Sequence, residues 1–186
     1  MRIIGGKFKG KKLFFMSSKI TRPLRDMVKE SIINIIVHSN VINVDIKNSN
    51  ILDLYSGVGS FGIECLSREA KEVTFVEENK NTFQILKKNI TNLLLENNTH
   101  PNNMTVDSFL SQNINKKYDI LFFDPPYANN DFLQHLKIIK EMSLYKQNNL
   151  VIIHREREKE DNLPVYFNKL LTKSYGKSKI LFGHFT

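Results

Sequence analysis

Short apolar runs and longer stretches of helical period alternate along this chain, separated by polar turns. Ile51-Leu52-Asp53-Leu54, Val73-Thr74-Phe75-Val76, Tyr118 to Phe123 and Leu150 to Ile153 are too short for helices and nearly continuous in apolar character. Such runs predict strands buried on both faces, as in a parallel sheet. Between them lie stripes of helical spacing. Val28, Ile32, Ile35 and Ile36 predict a helix opened by Pro23, and Ile63 and Leu66 one after the first strand. Phe83, Leu86, Ile90 and Leu93 predict another from about Asn79, and Phe132, Leu136 and Ile139 a fourth from Asp131. Ile3-Ile4 and Leu13-Phe14-Phe15 flank a glycine- and lysine-rich tip and predict a small β-hairpin. Tyr166 to Leu171 and Lys179 to Phe182 predict a closing hairpin. Asn40 to Asn50 and Glu96 to Asn103 read as loops, and Met104-Thr105-Val106 as a short strand ending at Asp107. The alternation of strands and helices predicts an α/β, Rossmann-like domain preceded by a hairpin and a helix. At 186 residues the expectation is one domain, with a basic arm over 1–39 and a core over 50–186.

Charge changes this picture at one end. The net charge is +8, from 27 Lys+Arg against 19 Asp+Glu. Arg2, Lys7, Lys9, Lys11, Lys12, Lys19, Arg22, Arg25 and Lys29 crowd the first 30 residues against only Asp26 and Glu30. Excess charge serves solubility, but a cluster at one end is the footprint of nucleic-acid binding. Arg25 and Lys29, four residues apart, share a helix face from which both could reach adjacent phosphates. No 20-residue apolar span and no signal-peptide pattern is present, so a cytoplasmic location is expected. Cys65, the single cysteine, excludes an internal disulfide and reads as a small core residue; no thiolate cluster for a metal exists.

Two motifs carry chemistry. The first is Asp53 at a strand end followed by Gly57, Gly59 and Gly62, a glycine turn between strand and helix that lets a ligand approach the main chain. Glu77 ends the next strand, where a carboxylate accepts hydrogen bonds from ribose hydroxyls. Together they predict an adenosine-containing cofactor. The second is Asp124-Pro125-Pro126-Tyr127, again after a strand and so at the same sheet edge. Paired prolines stiffen the turn and would fix the Asp124 carboxylate and the Pro125 carbonyl as two acceptors beside the Tyr127 ring. Two acceptors and a stacking surface suit the –NH₂ of an unstacked nucleobase. The bland alternative is a strand-terminating turn with Tyr127 as a core lid. His154 reads as structural, and the run Arg155 to Asp161 as a solvated loop or helix face.

In this order, Arg2-Ile3-Ile4-Gly5-Gly6, Arg22-Pro23, Asp53-x-x-x-Gly57-x-Gly59 and Asp124-Pro125-Pro126-Tyr127, the chain resembles the RsmD family of bacterial rRNA methyltransferases. The resemblance spans nearly the whole chain and implies a seven-stranded class I methyltransferase sheet, with one antiparallel strand from the C-terminal hairpin. It also implies S-adenosylmethionine as cofactor and methyl transfer to the N2 amine of one guanine in 16S rRNA. The expected partner is 16S rRNA, in the 30S subunit or an assembly intermediate, with the chain monomeric and free of membranes. Carried over by position, Asp53, Tyr55, Gly57, Glu77 and Gly59 match the cofactor site, Asp107 the adenine contact, and Asp124, Pro125, Pro126 and Tyr127 the amine clamp. Arg2, Lys7, Lys9, Lys11, Lys12, Arg22, Arg25 and Lys29 are the expected RNA contacts. Leu24 departs from the family, whose members often carry Thr after the Arg-Pro pair. The D-P-P-Y motif is shared with adenine-N6 methyltransferases, so it sets the reaction type and the arm sets the substrate. An adenine-N6 enzyme acting on DNA or RNA, a nicotinamide oxidoreductase and a non-catalytic RNA-binding protein are the alternatives. The oxidoreductase leaves the D-P-P-Y motif unexplained, and the binding protein gives no reason for two intact motifs.

Overall fold

The computed structural model describes residues 1–15, 26–126 and 131–186. Its strands are β1 (Asn50–Leu54), β2 (Glu72–Val76), β3 (Thr99–Asn102), β4 (Tyr118–Phe123), β5 (Tyr145–Glu156), β6 (Phe167–Tyr175) and β7 (Ser178–Phe185). Its helices are α1 (Asp26–His38), α2 (Ser60–Ser67), α3 (Lys80–Asn92), α4 (Val106–Leu110) and α5 (Phe132–Glu141). The strands form one sheet in the order β3-β2-β1-β4-β5-β7-β6. β1 to β5 pair in parallel, and β7 runs antiparallel to both of its neighbours. This is the seven-stranded α/β sheet expected, with the C-terminal hairpin closing one side.

The two-residue period of the strands divides the core. Ile51, Ile120, Phe122 and Ile152 pack on one face with Val28, Ile32, Phe61, Ile63, Phe83 and Leu86 from α1, α2 and α3. Leu52, Leu121, Phe123, Val151 and Ile153 pack on the other with Val106, Phe109, Leu136 and Ile139 from α4 and α5. After β1 the chain moves outward to β2 and β3, then returns to place β4 on the opposite side of β1. That reversal opens a crevice at the carboxyl ends of β1 and β4, where ligands of open α/β sheets bind.

Three local expectations need correction. The loop over 96–103 contains β3, whose Pro101 is tolerated because β3, among the described residues, is an edge strand paired with β2 alone. Met104 to Val106 is not a strand; the Thr105 hydroxyl accepts the Ser108 N–H at 3.1 Å and starts α4, so Asp107 lies in a helix's first turn. The charge run after His154 is not simply solvated. β5 continues through Glu156 against β7, and its alternation turns Arg155 inward, fully buried, 2.9 Å from Asp161 and with its guanidinium 4.4 Å from the centre of the Phe132 ring.

The N-terminal hairpin is present in short form. Arg2 and Lys12 make its antiparallel bridge, the Ile3 N–H donates to the Lys11 carbonyl at 2.9 Å, and Ile3 and Leu13 are buried. Its seat is α2, where the fully buried Glu64 accepts the Ile4 and Gly5 N–H groups at 2.8 and 2.9 Å and meets Arg68 Nε at 3.0 Å. No helix among the described residues is long and apolar enough to cross a membrane.

Candidate active site

The glycine turn begins where β1 runs out. Tyr55 and Gly57 take positive φ angles of 58° and 56°, and Gly59, with φ 85°, precedes the first turn of α2. A Cβ at Gly59 would collide with the Leu86 side chain, so both backbone and space require glycine there; one at Gly57 would enter open space. The turn is braced by Glu77, just beyond β2. One Glu77 oxygen accepts the Gly57 N–H at 2.9 Å and the other the Asn79 N–H at 2.8 Å. Glu77 is therefore buried and structural as well as a ligand candidate, whereas a strand-end acid is ordinarily exposed. Burial raises its pKa against the pull of those two backbone bonds. The two bonds use about half of a carboxylate's four acceptor positions.

Asp53 occupies the floor of the same crevice and is 1% exposed. Its Oδ2 accepts the Gly62 N–H at 3.0 Å, while Oδ1 and the neighbouring Ser56 hydroxyl have no hydrogen-bond partner among the described residues. Burial pushes the Asp53 carboxyl well above the usual range; the Gly62 bond opposes this, and the negative charges of Asp124 and Glu77 add to it. Three carboxylates thus converge on one crevice, an arrangement that favours a cationic ligand.

Asp124 follows β4 directly, and its N–H points to the Leu54 carbonyl at 3.4 Å. His154 Nδ1 stands 2.7 Å from Asp124 Oδ1, so the histidine that reads as structural in sequence has a carboxylate partner. The signal is in the pairing: β4 and β5 are parallel, Phe123 is opposite Ile153, and the next residues of each strand are Asp124 and His154. Pro125 is buried and Pro126 exposed at the mouth. Tyr127 lies outside the described residues.

On the opposite face of the sheet edge a second histidine joins two expected cofactor residues. His135 of α5, 2% exposed, has Nδ1 2.6 Å from the Tyr55 hydroxyl and Nε2 3.0 Å from Asp107 Oδ1. Burial, with Asp107 next, drives the Tyr55 phenol pKa upward, so the phenol stays protonated and donates to the ring. His135 carries no signal in sequence because it sits on an otherwise apolar helix stripe.

The expected RNA contacts divide. Arg2, Lys7, Lys9, Lys11 and Lys12 are exposed on the hairpin, which packs against the helix that follows the glycine turn. Asn89 of α3 ties the two together: its Oδ1 accepts the Phe14 N–H at 2.8 Å and its Nδ2 donates to the Val58 carbonyl at 3.0 Å. Lys29 is a correction. It is fully buried, its Nζ 3.4 Å from Glu64 and donating to the Arg2 carbonyl at 2.8 Å, so it clamps the hairpin and cannot meet a phosphate. Helical period alone could not show this, because Glu64 is 35 residues away in sequence. Arg22, Arg25 and Leu24 lie outside the described residues. Cys65 is buried, and burial raises its thiol pKa, in keeping with a core role. Among the described residues no three His, Cys, Asp or Glu side chains are placed to hold a metal ion together.

S-Adenosylmethionine fits this crevice on the structure's own terms. Asp53 Oδ1 and the Ser56 hydroxyl are orphaned, Glu77 has acceptor positions to spare, space is open at Gly57, and the donor set suits a cation with hydroxyls. A family described as conserved hypothetical protein 95 matches residues 1–184. The chain is 35% identical over 179 residues to the ribosomal RNA small subunit methyltransferase D of Haemophilus influenzae, covering 95% of this chain and 89% of that protein. The solved structure of "Putative methyltransferase yhhF from Escherichia coli" superposes with a TM-score of 0.83 at 27% identity, covering 98% of this chain and 96% of the other. "A putative sam-dependent methyltransferase from Streptococcus mutans" shares the fold, with a TM-score of 0.63 at 15% identity over 81% of this chain and 48% of that one.

Proposed function

This chain belongs to the RsmD family, and from that premise we propose that it methylates the exocyclic N2 amine of a guanine in 16S rRNA. Its methyl donor is S-adenosylmethionine, which supplies a methyl group on a positively charged sulfonium. The observation that carries the reading is the convergence of Asp53, Glu77 and Asp124 at one sheet edge. Glu77 would hold the ribose hydroxyls with the acceptor positions that Gly57 and Asn79 leave, and Asp53 and Ser56 would face the cationic methionine end. Tyr55 and Asp107, linked through His135, would border the adenine.

An exocyclic amine is a weak nucleophile because its lone pair is delocalised into the ring. Asp124 and the Pro125 carbonyl accept its two N–H groups and favour a pyramidal nitrogen, and the gain is chiefly orientation. Pro126 stiffens the turn and Tyr127 stacks on the base. The exposed Arg2, Lys7, Lys9, Lys11 and Lys12, with Arg22 and Arg25, hold phosphates of the RNA. The relative's name supports small-subunit rRNA as the substrate. A monomer acting in the cytoplasm, on the 30S subunit or an assembly intermediate, completes the reading.

Asp124→Ala tests it. The single-turnover methyl-transfer rate should fall about 10²-fold or more, as for a misplaced reacting group, while S-adenosylmethionine affinity stays within a few-fold. Near-normal turnover in a folded protein would remove the clamp.

A further inference from the structure

We propose that His154 is a positioning residue for the target amine, its Nδ1–H fixing the rotamer of the Asp124 carboxylate. The inference rests on the amine clamp above and deepens it. His154 Nδ1 lies 2.7 Å from Asp124 Oδ1, the distance of a short, charge-assisted hydrogen bond. An ionised carboxylate only accepts, so the ring nitrogen facing it carries the proton; the other tautomer would set two lone pairs against each other.

The two partners are not equally held. His154 is 7% exposed, and its backbone pairs with Ile180 of β7 on one side while β5 pairs with β4 on the other. Asp124 has left its strand. Its N–H bond to Leu54 is long at 3.4 Å, and its side chain keeps 25% of its surface exposed. A fixed donor therefore constrains a freer acceptor, and not the reverse.

The consequence is chemical. With Oδ1 taken by His154, Asp124 offers one oxygen, Oδ2, to the amine, and the Pro125 carbonyl offers the second acceptor. Two N–H groups then meet two separate acceptors, which sets the direction of the nitrogen lone pair. Without His154, the carboxylate can turn about its Cβ–Cγ bond and swing its oxygen off the line of the amine N–H, and that direction is lost.

The experiment compares His154→Leu, His154→Asn and Asp124→Ala in single-turnover transfer from S-adenosylmethionine to small-subunit particles, with calorimetry of cofactor binding and thermal melts. His154→Leu should lower the transfer rate by about 10²-fold and leave cofactor affinity within a few-fold. His154→Asn puts an amide N–H where Nδ1–H stood and should recover most of the rate. Adding His154→Leu to Asp124→Ala should cost nothing further, since the histidine acts through the carboxylate. Should His154→Leu fold poorly, Asn against Gln carries the test: both have an amide, but that of Gln lies one bond too far, so Gln should be slow and Asn fast. Normal turnover in His154→Leu, or an Asn variant as slow as Gln, overturns the inference. Normal turnover in Asp124→Ala overturns the clamp itself.

Discussion

Exchanging Lys29 for Met separates a structural lysine from one that grips RNA. Lys29 has no exposed surface and neither has Glu64, whose carboxylate it faces at 3.4 Å. Burial pushes the Lys29 ammonium pKa down, and Glu64 pulls it partly back. Removing one member of a buried pair costs about 3–5 kcal/mol, because the other charge is left without its partner. Here Arg68 Nε stays 3.0 Å from Glu64, so the lower end applies, about 3 kcal/mol. For a domain of this size each kcal/mol shifts Tm by about 2–4 °C, which puts Lys29→Met about 6–12 °C below the parent. The loss of the bond to the Arg2 carbonyl should also loosen the hairpin, visible as faster amide exchange at Ile3, Ile4 and Gly5. Thermal melts and a salt titration of RNA binding are the assays. The folded variant at low temperature should keep the parent's salt slope. An unchanged Tm with a slope reduced by about 0.7–0.9, the share of one neutralised phosphate, would refute the structural role.

Glu77→Ala should weaken S-adenosylmethionine binding and also lower stability by about 1–3 kcal/mol, because the Gly57 and Asn79 N–H groups lose their acceptor. Calorimetry with unchanged affinity in a folded variant would refute the ribose assignment, and an unchanged melt would refute the brace. Replacing Lys7, Lys9, Lys11 and Lys12 together should flatten the salt dependence of RNA binding by about 0.7–0.9 for each phosphate that is no longer neutralised, and leave cofactor affinity alone; an unchanged slope would make these lysines solubilising only. Asp53, with its pKa raised by burial, binds its proton more tightly folded than unfolded, so its contribution to stability falls as pH rises from the usual carboxylate range towards its raised value. Asp53→Asn should flatten that part of the Tm-against-pH curve, and a parental slope would contradict it.

Patterns that depend on neighbours in sequence are legible in the chain, and interactions across the fold are not. The runs at Ile51, Val73, Tyr118 and Leu150 form β1, β2, β4 and β5 because burial on both faces demands continuous apolar character. β3 is hidden because Thr99-His100-Pro101-Asn102, at the sheet edge with little to bury, has the composition of a loop. Gly57, Gly59 and Glu77 are visible as a motif, yet that Glu77 braces Gly57 depends on a bond across 20 residues. The histidines show the limit most clearly. His135 and His154 lie 28 and 30 residues from the carboxylates they meet, and only the packing of α5 on α4 and the register of β5 on β4 bring them there. Lys29 misleads for the same reason: charge suggests solvent until a buried partner is found.

The central claim is tested most directly by the identity of the modified nucleoside. The protein is incubated with methyl-labelled S-adenosylmethionine and with 16S rRNA, naked or in 30S particles from cells lacking the endogenous activity. The RNA is then digested to nucleosides and oligonucleotides for mass spectrometry. The account predicts N2-methylguanosine at a single position, absent when Asp124→Ala replaces the parent. Label in N6-methyladenosine, or no label in rRNA while the folded protein binds S-adenosylmethionine, would contradict it.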